Sequence, residues 1–114
     1  MKSVLLKNHS YVLKEIQIML KDERQRSGWV TCVIAARWVQ AKVYDEGSQF
    51  GINGGRVSKL IVSKDMMKPK VFTKEGLDFS YDRGADYSNL PEKDVAVIVA
   101  ALEKLPPAAE GAVL

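Results

Sequence analysis

The run Ala41-Lys42-Val43-Tyr44-Asp45-Glu46-Gly47-Ser48-Gln49-Phe50-Gly51-Ile52-Asn53-Gly54-Gly55-Arg56-Val57-Ser58-Lys59-Leu60 constrains this chain more than any other stretch. Val39, Ala41 and Val43 alternate with Gln40, Lys42 and Tyr44, the period of a half-buried strand. Residues 57–63 resume with β-branched side chains and Leu60, a second strand pattern. Between the two lie four of the chain's eight glycines, Gly47, Gly51, Gly54 and Gly55. The connection is too long for a two-residue hairpin, yet Asn53-Gly54 and Gly54-Gly55 are strong turn dipeptides. The pattern predicts a compact ordered loop, with Phe50 and Ile52 turned inward as its own small core.

The rest of the chain is read as completing a sheet around that loop. Residues 1–8 are a short leading strand or a loose end. Residues 10–24 read as an amphipathic helix, with Val12, Ile16, Met19 and Leu20 on one face and Lys14, Gln17, Lys21 and Glu23 on the other. Ser10 or Asn8 would cap it, and Ser27-Gly28 would end it, with Arg24 and Arg26 near the carboxyl end of its dipole. Strands are expected at 29–34, 37–44, 56–63 and 77–81, the first two joined at Ala35-Ala36, a turn without Gly or Asn. Residues 64–69 read as a polar loop in which Met66-Met67 cover a core edge. Residues 70–73 read as a brief edge strand whose lysines discourage association. Asp82-Arg83-Gly84 turns the chain out. Asn89-Leu90-Pro91-Glu92 then has capping-box spacing, and Val95, Ile98, Val99 and Leu102 follow at helical spacing up to Pro106-Pro107. The fold class expected is α+β: a single domain over 1–105, its antiparallel sheet of about four strands flanked by an N-terminal and a C-terminal helix on one face. Residues 106–114 are expected to form a flexible tail.

The 41–60 run, with Trp29 upstream and Tyr81-Asp82-Arg83-Gly84 downstream, resembles a family of small uncharacterised bacterial and phage proteins. Their shared core reads AKV-aromatic-DEGS-x-x-GINGGR-aliphatic-SKL, followed by an aromatic-DRG segment. The resemblance covers about twenty residues plus the YDRG tetrapeptide, and leaves the first helix and the tail uncovered. It implies one domain and a mobile-element or phage setting, and it implies no activity.

Composition narrows the function classes. No apolar run approaches the ~20 residues that span a bilayer, and Lys7-Asn8-His9 interrupts the only apolar patch near the start, so a cytoplasmic protein is expected. One cysteine, Cys32, excludes an internal disulfide and a cysteine-rich zinc site. Net charge is only +3, but its distribution is uneven. Residues 56–74 hold six bases (Arg56, Lys59, Lys64, Lys68, Lys70, Lys74) against one acid, Asp65, whereas residues 75–114 hold eight acids against three bases. Such a chain can hold itself together, pair head-to-tail, or offer a basic face to an anion.

Three constellations are candidates for function. Asp45 and Glu46 would gather with Asp82, and with Asp78 or Asp86, if the last strand lies near the central loop, an oxygen set suited to Mg²⁺ or Ca²⁺. The plainer reading is that these carboxylates accept hydrogen bonds from loop amides and pair with Arg56 or Arg83. Asn53, Gly54, Gly55 and Arg56 would form an amide nest for a phosphate, although the ending of a P-loop and a dinucleotide GxGxxG are both absent. Arg56, Lys59, Lys64, Lys68 and Lys70 would follow a nucleic-acid backbone, with Tyr44 or Phe72 stacking a base; the plainer reading is a solvated face. His9 precedes a helix, Cys32 sits in an apolar run, and Trp29 and Trp38 read as packing anchors. No metal, cofactor, triad or acid–base pair is called for, which weighs against an enzyme.

The function these residues favour is a small binding protein acting through a protein partner or as a homodimer. Trp38, Tyr44, Leu60 and Val62 on the sheet face opposite the helices would be its interface. A nucleic-acid-binding accessory protein using the basic strip, and a small-ligand or metal-dependent enzyme centred on the 45–56 loop, are the alternatives.

Overall fold

The computed structural model describes residues 16–108, in which six strands run in simple sequence order across one antiparallel sheet. They are β1 (Ile16–Glu23), β2 (Trp29–Ile34), β3 (Arg37–Val43), β4 (Val57–Ser63), β5 (Leu77–Asp82) and β6 (Ala85–Ser88). A helix, α1 (Glu92–Glu103), follows the sheet and covers one face.

Two differences separate this architecture from the expected four strands between two helices. The first is β1. Residues 16–23, read as the second half of an N-terminal helix, pair antiparallel with β2; residues 1–15, including the start of that helix, lie outside the described residues. The sequence Ile16-Gln17-Ile18-Met19-Leu20-Lys21 carries both periods at once. Apolar residues at 16, 19 and 20 suit a helix, and those at 16, 18 and 20 suit a strand. The β-branched isoleucines favour extended backbone, and β2, which buries Cys32, Val33 and Ile34, gains a hydrogen-bonding partner on its second edge. The apparent helix terminator Ser27-Gly28 instead closes a tight turn. The Ser27 amide donates to Glu23 O at 2.9 Å, the Gly28 amide to Arg24 O at 3.0 Å, and Gly28 has φ +85°.

The second difference is β6. Asp82-Arg83-Gly84 does not lead the chain away: it reverses it, with Arg83 at φ 58°, and residues 85–88 pair back on β5. The capping box is also absent. Pro91 stands at the helix N-cap without a side-chain cap, and Asn89 turns to the sheet, its amide donating to Asp78 O at 2.7 Å. Glu92 and Asp94 in the first turn suit the dipole.

Other elements fall where the pattern places them. Ala35 and Ala36 close the β2–β3 hairpin at φ 52° and 63°, the positive values that a tight two-residue turn demands. Val30, Cys32 and Ile34 of β2, Val39, Ala41 and Val43 of β3, and Val57, Leu60 and Val62 of β4 share one face. Ile98, Ala101, Leu102 and Leu105 pack on them at helical spacing. Each fully buried aliphatic side chain stabilises the fold by about 1.5–3 kcal/mol, and this contact holds a helix rich in valine and isoleucine.

Residues 64–76 form no edge strand. They make an irregular loop that crosses the opposite face of the sheet, where Phe72 lies 6.1 Å from Trp38, ring centre to ring centre. The expected tail starts within the folded body: Pro106 O accepts from Arg24 Nη1 at 2.6 Å, and the Ala108 amide donates to Asp45 Oδ1 at 2.7 Å.

Candidate functional site

The loop between β3 and β4 is tightly self-bonded. The Ser48 amide donates to Gly55 O, Gly51 to Ser48 O, Gly54 to Gly51 O and Gly55 to Ile52 O, all within 2.9–3.2 Å. Ile52–Gly54 form a single 3₁₀ turn, with Asn53 left-handed at φ 55°. Gly51 is required by close approach, since a Cβ there would strike the Gly55 carbonyl. Ile52 packs against the core, whereas the Phe50 side chain is exposed and its backbone is held, the amide donating to Ser48 Oγ at 3.1 Å and the carbonyl accepting from the Tyr81 hydroxyl at 3.0 Å.

The anion at the Gly55–Arg56 turn is the chain's own. Glu103, the last residue of α1, places Oε2 2.7 Å from the Arg56 amide, and a Cβ on Gly55 would collide with that carboxylate. The Arg56 guanidinium points the same way. Its Nη1 donates to Glu103 O and Leu105 O, both at 2.8 Å, and its Nε donates to Tyr44 O at 2.8 Å. A cation on the last carbonyls of a helix satisfies orphan acceptors and opposes the negative end of the dipole. Arg24 serves the neighbouring carbonyl, Pro106 O, from an almost wholly buried position, held by both oxygens of Asp22 at 2.8–2.9 Å. Two arginines and Asp45 therefore fasten the end of α1 and the residues after it to the loop side of the sheet.

The remaining loop-site candidates are dispersed. Glu46 is exposed. Asp82 sits between Lys59 (3.8 Å) and Arg83 (3.1 Å), in an exposed group apart from Asp45. Among the described residues no three His, Cys, Asp or Glu side chains are grouped to hold a metal ion.

The basic strip is broken up as well. Arg56 is committed to helix carbonyls, Lys59 pairs with Asp82, and Lys64, past the other end of β4, pairs with Asp78 at 3.1 Å. Lys68 and Lys70 stand exposed on the 64–76 loop. The four interface candidates are split between faces. Leu60 and Val62 are wholly buried beneath α1, so they cannot form an open surface. Trp38 alternates with Val39 and Ala41 onto the other face, where the 64–76 loop covers it. Tyr44 is half exposed on that same side, 6.0 Å from Lys42 Nζ, which also lies 5.8 Å from the Trp29 ring.

The end of the sheet away from the central loop gathers residues that the sequence analysis had placed in other roles. Asp78 joins Arg37 Nη1 at 2.6 Å and Lys64 Nζ at 3.1 Å, tying β3, β5 and the base of the 64–76 loop together. Burial pushes its carboxyl up, but the hydrogen bonds from Arg37 and Lys64 outweigh that and hold it below the ordinary aspartate value. The loop is pinned by Trp38 N donating to Asp65 O (2.8 Å), Met67 N to Asp65 Oδ1 (2.8 Å) and Ser63 Oγ to Met67 O (2.9 Å). It nevertheless leaves Met66, Met67, Val71 and Phe72 exposed, Met67 by 71%. Beside it opens a cleft of about 310 Å³ whose walls include Phe72, Leu77 and Tyr87. The only sequence signal for this surface was apolar Met66-Met67 and Phe72 set among lysines. Cys32 is inert by comparison: burial, then the charge of Asp22, pushes its thiol up to about 12.

Among the described residues these features define a β-meander covered on one face by α1, whose central loop is a helix-docking device. The chain belongs to the family described as Domain of unknown function (DUF7678), whose model matches residues 27–105. No curated protein and no solved structure matches it. No helix among the described residues is long and apolar enough to cross a membrane.

Proposed function

We propose that this chain is a binding protein that engages a protein partner through the 64–76 loop. The observation that carries this reading is that Met66, Met67, Val71 and Phe72 are all exposed on one loop, which is tied down by backbone bonds at Asp65 and Met67 and by the ring of Phe72 against Trp38. Single exposed apolar side chains are ordinary; four within seven residues of one loop gain most by burial against another surface. Methionines suit such a surface because they adapt to the shape that covers them. The surrounding Lys68, Lys70 and Lys74 supply a polar rim. A nucleic-acid reading keeps only these exposed lysines, since Arg56, Lys59 and Lys64 are bonded within the chain. The resemblance of the 41–60 run suggests a mobile-element or phage setting, and we take the cytoplasm as the compartment.

The test is a photo-crosslinking amino acid placed at Met67 and, as control, at Val97, an apolar side chain half exposed on α1, away from the loop. A discrete protein adduct from Met67 and none from Val97 is the expected result in the native host. An adduct of two copies of this chain makes the partner a second copy. No protein adduct at Met67, or nucleic acid in its place, refutes the reading.

A further inference from the structure

We infer that the cleft beside the loop is an anchor pocket for one aromatic side chain, presented by an acidic segment of the partner protein. This rests on the reading of the 64–76 loop as a partner-binding surface and adds which chemistry it selects. Phe72 from the loop and Tyr87 from β6 supply two rings, and Leu77 at the start of β5 adds an aliphatic wall. Ser80 and Asp86 add polar groups, their side chains 3.4 Å apart, and Lys74 is also part of the lining. At about 310 Å³ the cleft is near the lower bound of ligand sites, the size of one ring-bearing side chain rather than of a dinucleotide or a flavin. Rings meeting rings edge-on or offset gain beyond the burial of area, which favours an aromatic occupant over an aliphatic one.

Charge identifies what surrounds that ring. Lys68, Lys70 and Lys74 lie within seven consecutive residues and have no carboxylate partner among the described residues, whereas Lys64 at the base of the same loop is neutralised by Asp78. Of the three, Lys74 lines the cleft, and Lys68 and Lys70 precede it on the loop that exposes the apolar side chains; Asp86 in the wall and Glu75 beside Lys74 offset part of this charge and leave a net positive loop. Carboxylates flanking the aromatic residue would meet these ammonium groups in a rim geometry that steers encounter, and the ring in the cleft would carry most of the affinity. The short β6 edge, irregular in its pairing with β5 and bearing Asp86, is poorly suited to adding a strand, so the partner is held by side chains.

The test uses the full chain and synthetic nine-residue peptides of Asp and Glu with Trp, Phe, Tyr or Ala at the centre, labelled for fluorescence anisotropy. Peptides with a central ring should bind at least about ten-fold tighter than the alanine peptide. Ser80→Phe fills the cleft without altering the lysines and should abolish that preference. Tyr87→Ala, which removes one wall, should do the same and serves if Ser80→Phe disturbs the sheet. Lys68→Glu with Lys70→Glu should weaken every acidic peptide alike. Equal binding of ring and alanine peptides, or a ring preference that survives both cleft variants, overturns the anchor pocket. Displacement of bound peptide by an oligothymidine at equal charge overturns the partner class. If no peptide binds while Met67 still yields a protein adduct, the pocket inference fails and the loop reading stands; if neither occurs, both fail.

Discussion

Replacing Arg56 separates a structural from a ligand-binding role for the central loop. Its guanidinium donates three hydrogen bonds of 2.8 Å, to Tyr44 O, Glu103 O and Leu105 O. A charged donor to a carbonyl contributes about 1.5 kcal/mol or more where part-buried, as at Glu103 O and Leu105 O, and less at the exposed Tyr44 O, so truncation to alanine removes roughly 4 kcal/mol and leaves helix-end carbonyls unmet. One term runs the other way. Arg56 Nη2 is buried without a hydrogen-bond partner, and relieving that returns about 1 kcal/mol. The net cost of Arg56→Ala is therefore about 3 kcal/mol, a large fraction of the ~5–15 kcal/mol that holds a domain of this size. With a urea m-value of about 2 kcal/mol/M, the midpoint should fall by roughly 1.5 M. Arg56→Lys keeps a positive charge at the helix end and one donor group, so it should recover about 1 kcal/mol. A midpoint for Arg56→Ala within about 0.3 M of the parent would refute the clamp, because three bonds to otherwise unmet carbonyls cannot be removed for so little.

Two further perturbations test other parts of the fold. Ala35 and Ala36 both hold positive φ, where an L side chain costs about 1–2 kcal/mol, so Asn-Gly in their place should raise the melting temperature by about 4 °C and Ala36→Val should lower it, read by calorimetry. Asp78 has a depressed pKa, so its contribution should be complete above the unfolded carboxyl pKa near 4 and lost as pH falls through the lower folded value; the urea midpoints of the parent and Asp78→Asn should converge across that window and stay apart at pH 7.

The four inner strands, β2 to β5, were legible because they alternate cleanly, whereas the six-stranded extent of the sheet was not. Val39, Ala41 and Val43 against Gln40 and Lys42 leave one register that buries the apolar set. Helix α1 was legible from the spacing of Ile98 and Leu102. The first element was not, since Ile16 to Leu20 satisfies both periods and only the free edge of β2 decides between them. β6 was hidden for a different reason: four residues, Ala85-Asp86-Tyr87-Ser88, carry too little apolar pattern to register, and the reversal depends on Arg83 taking a left-handed conformation. The loop site was misjudged through partners distant in sequence. Nothing local says that Arg56 will meet carbonyls 47 and 49 residues away, or that Glu103 will fill the turn that looked open to phosphate.

Those distant pairings also explain the charge asymmetry of the chain. Three of the eight acids of the acidic half are met by the basic middle: Glu103 accepts from the Arg56 amide while the arginine side chain caps the helix, Asp82 meets Lys59, and Asp78 meets Lys64. Each pairing takes a basic residue out of the strip that would otherwise track a polyanion. What survives is confined to Lys68, Lys70 and Lys74, too few for tight nucleic-acid binding but enough to orient an acidic protein segment. Evenly spread lysines would act as a solubility device. These stand instead on a loop that also exposes Met66, Met67, Val71 and Phe72 and borders the cleft, so the same residues set both the steering and the contact.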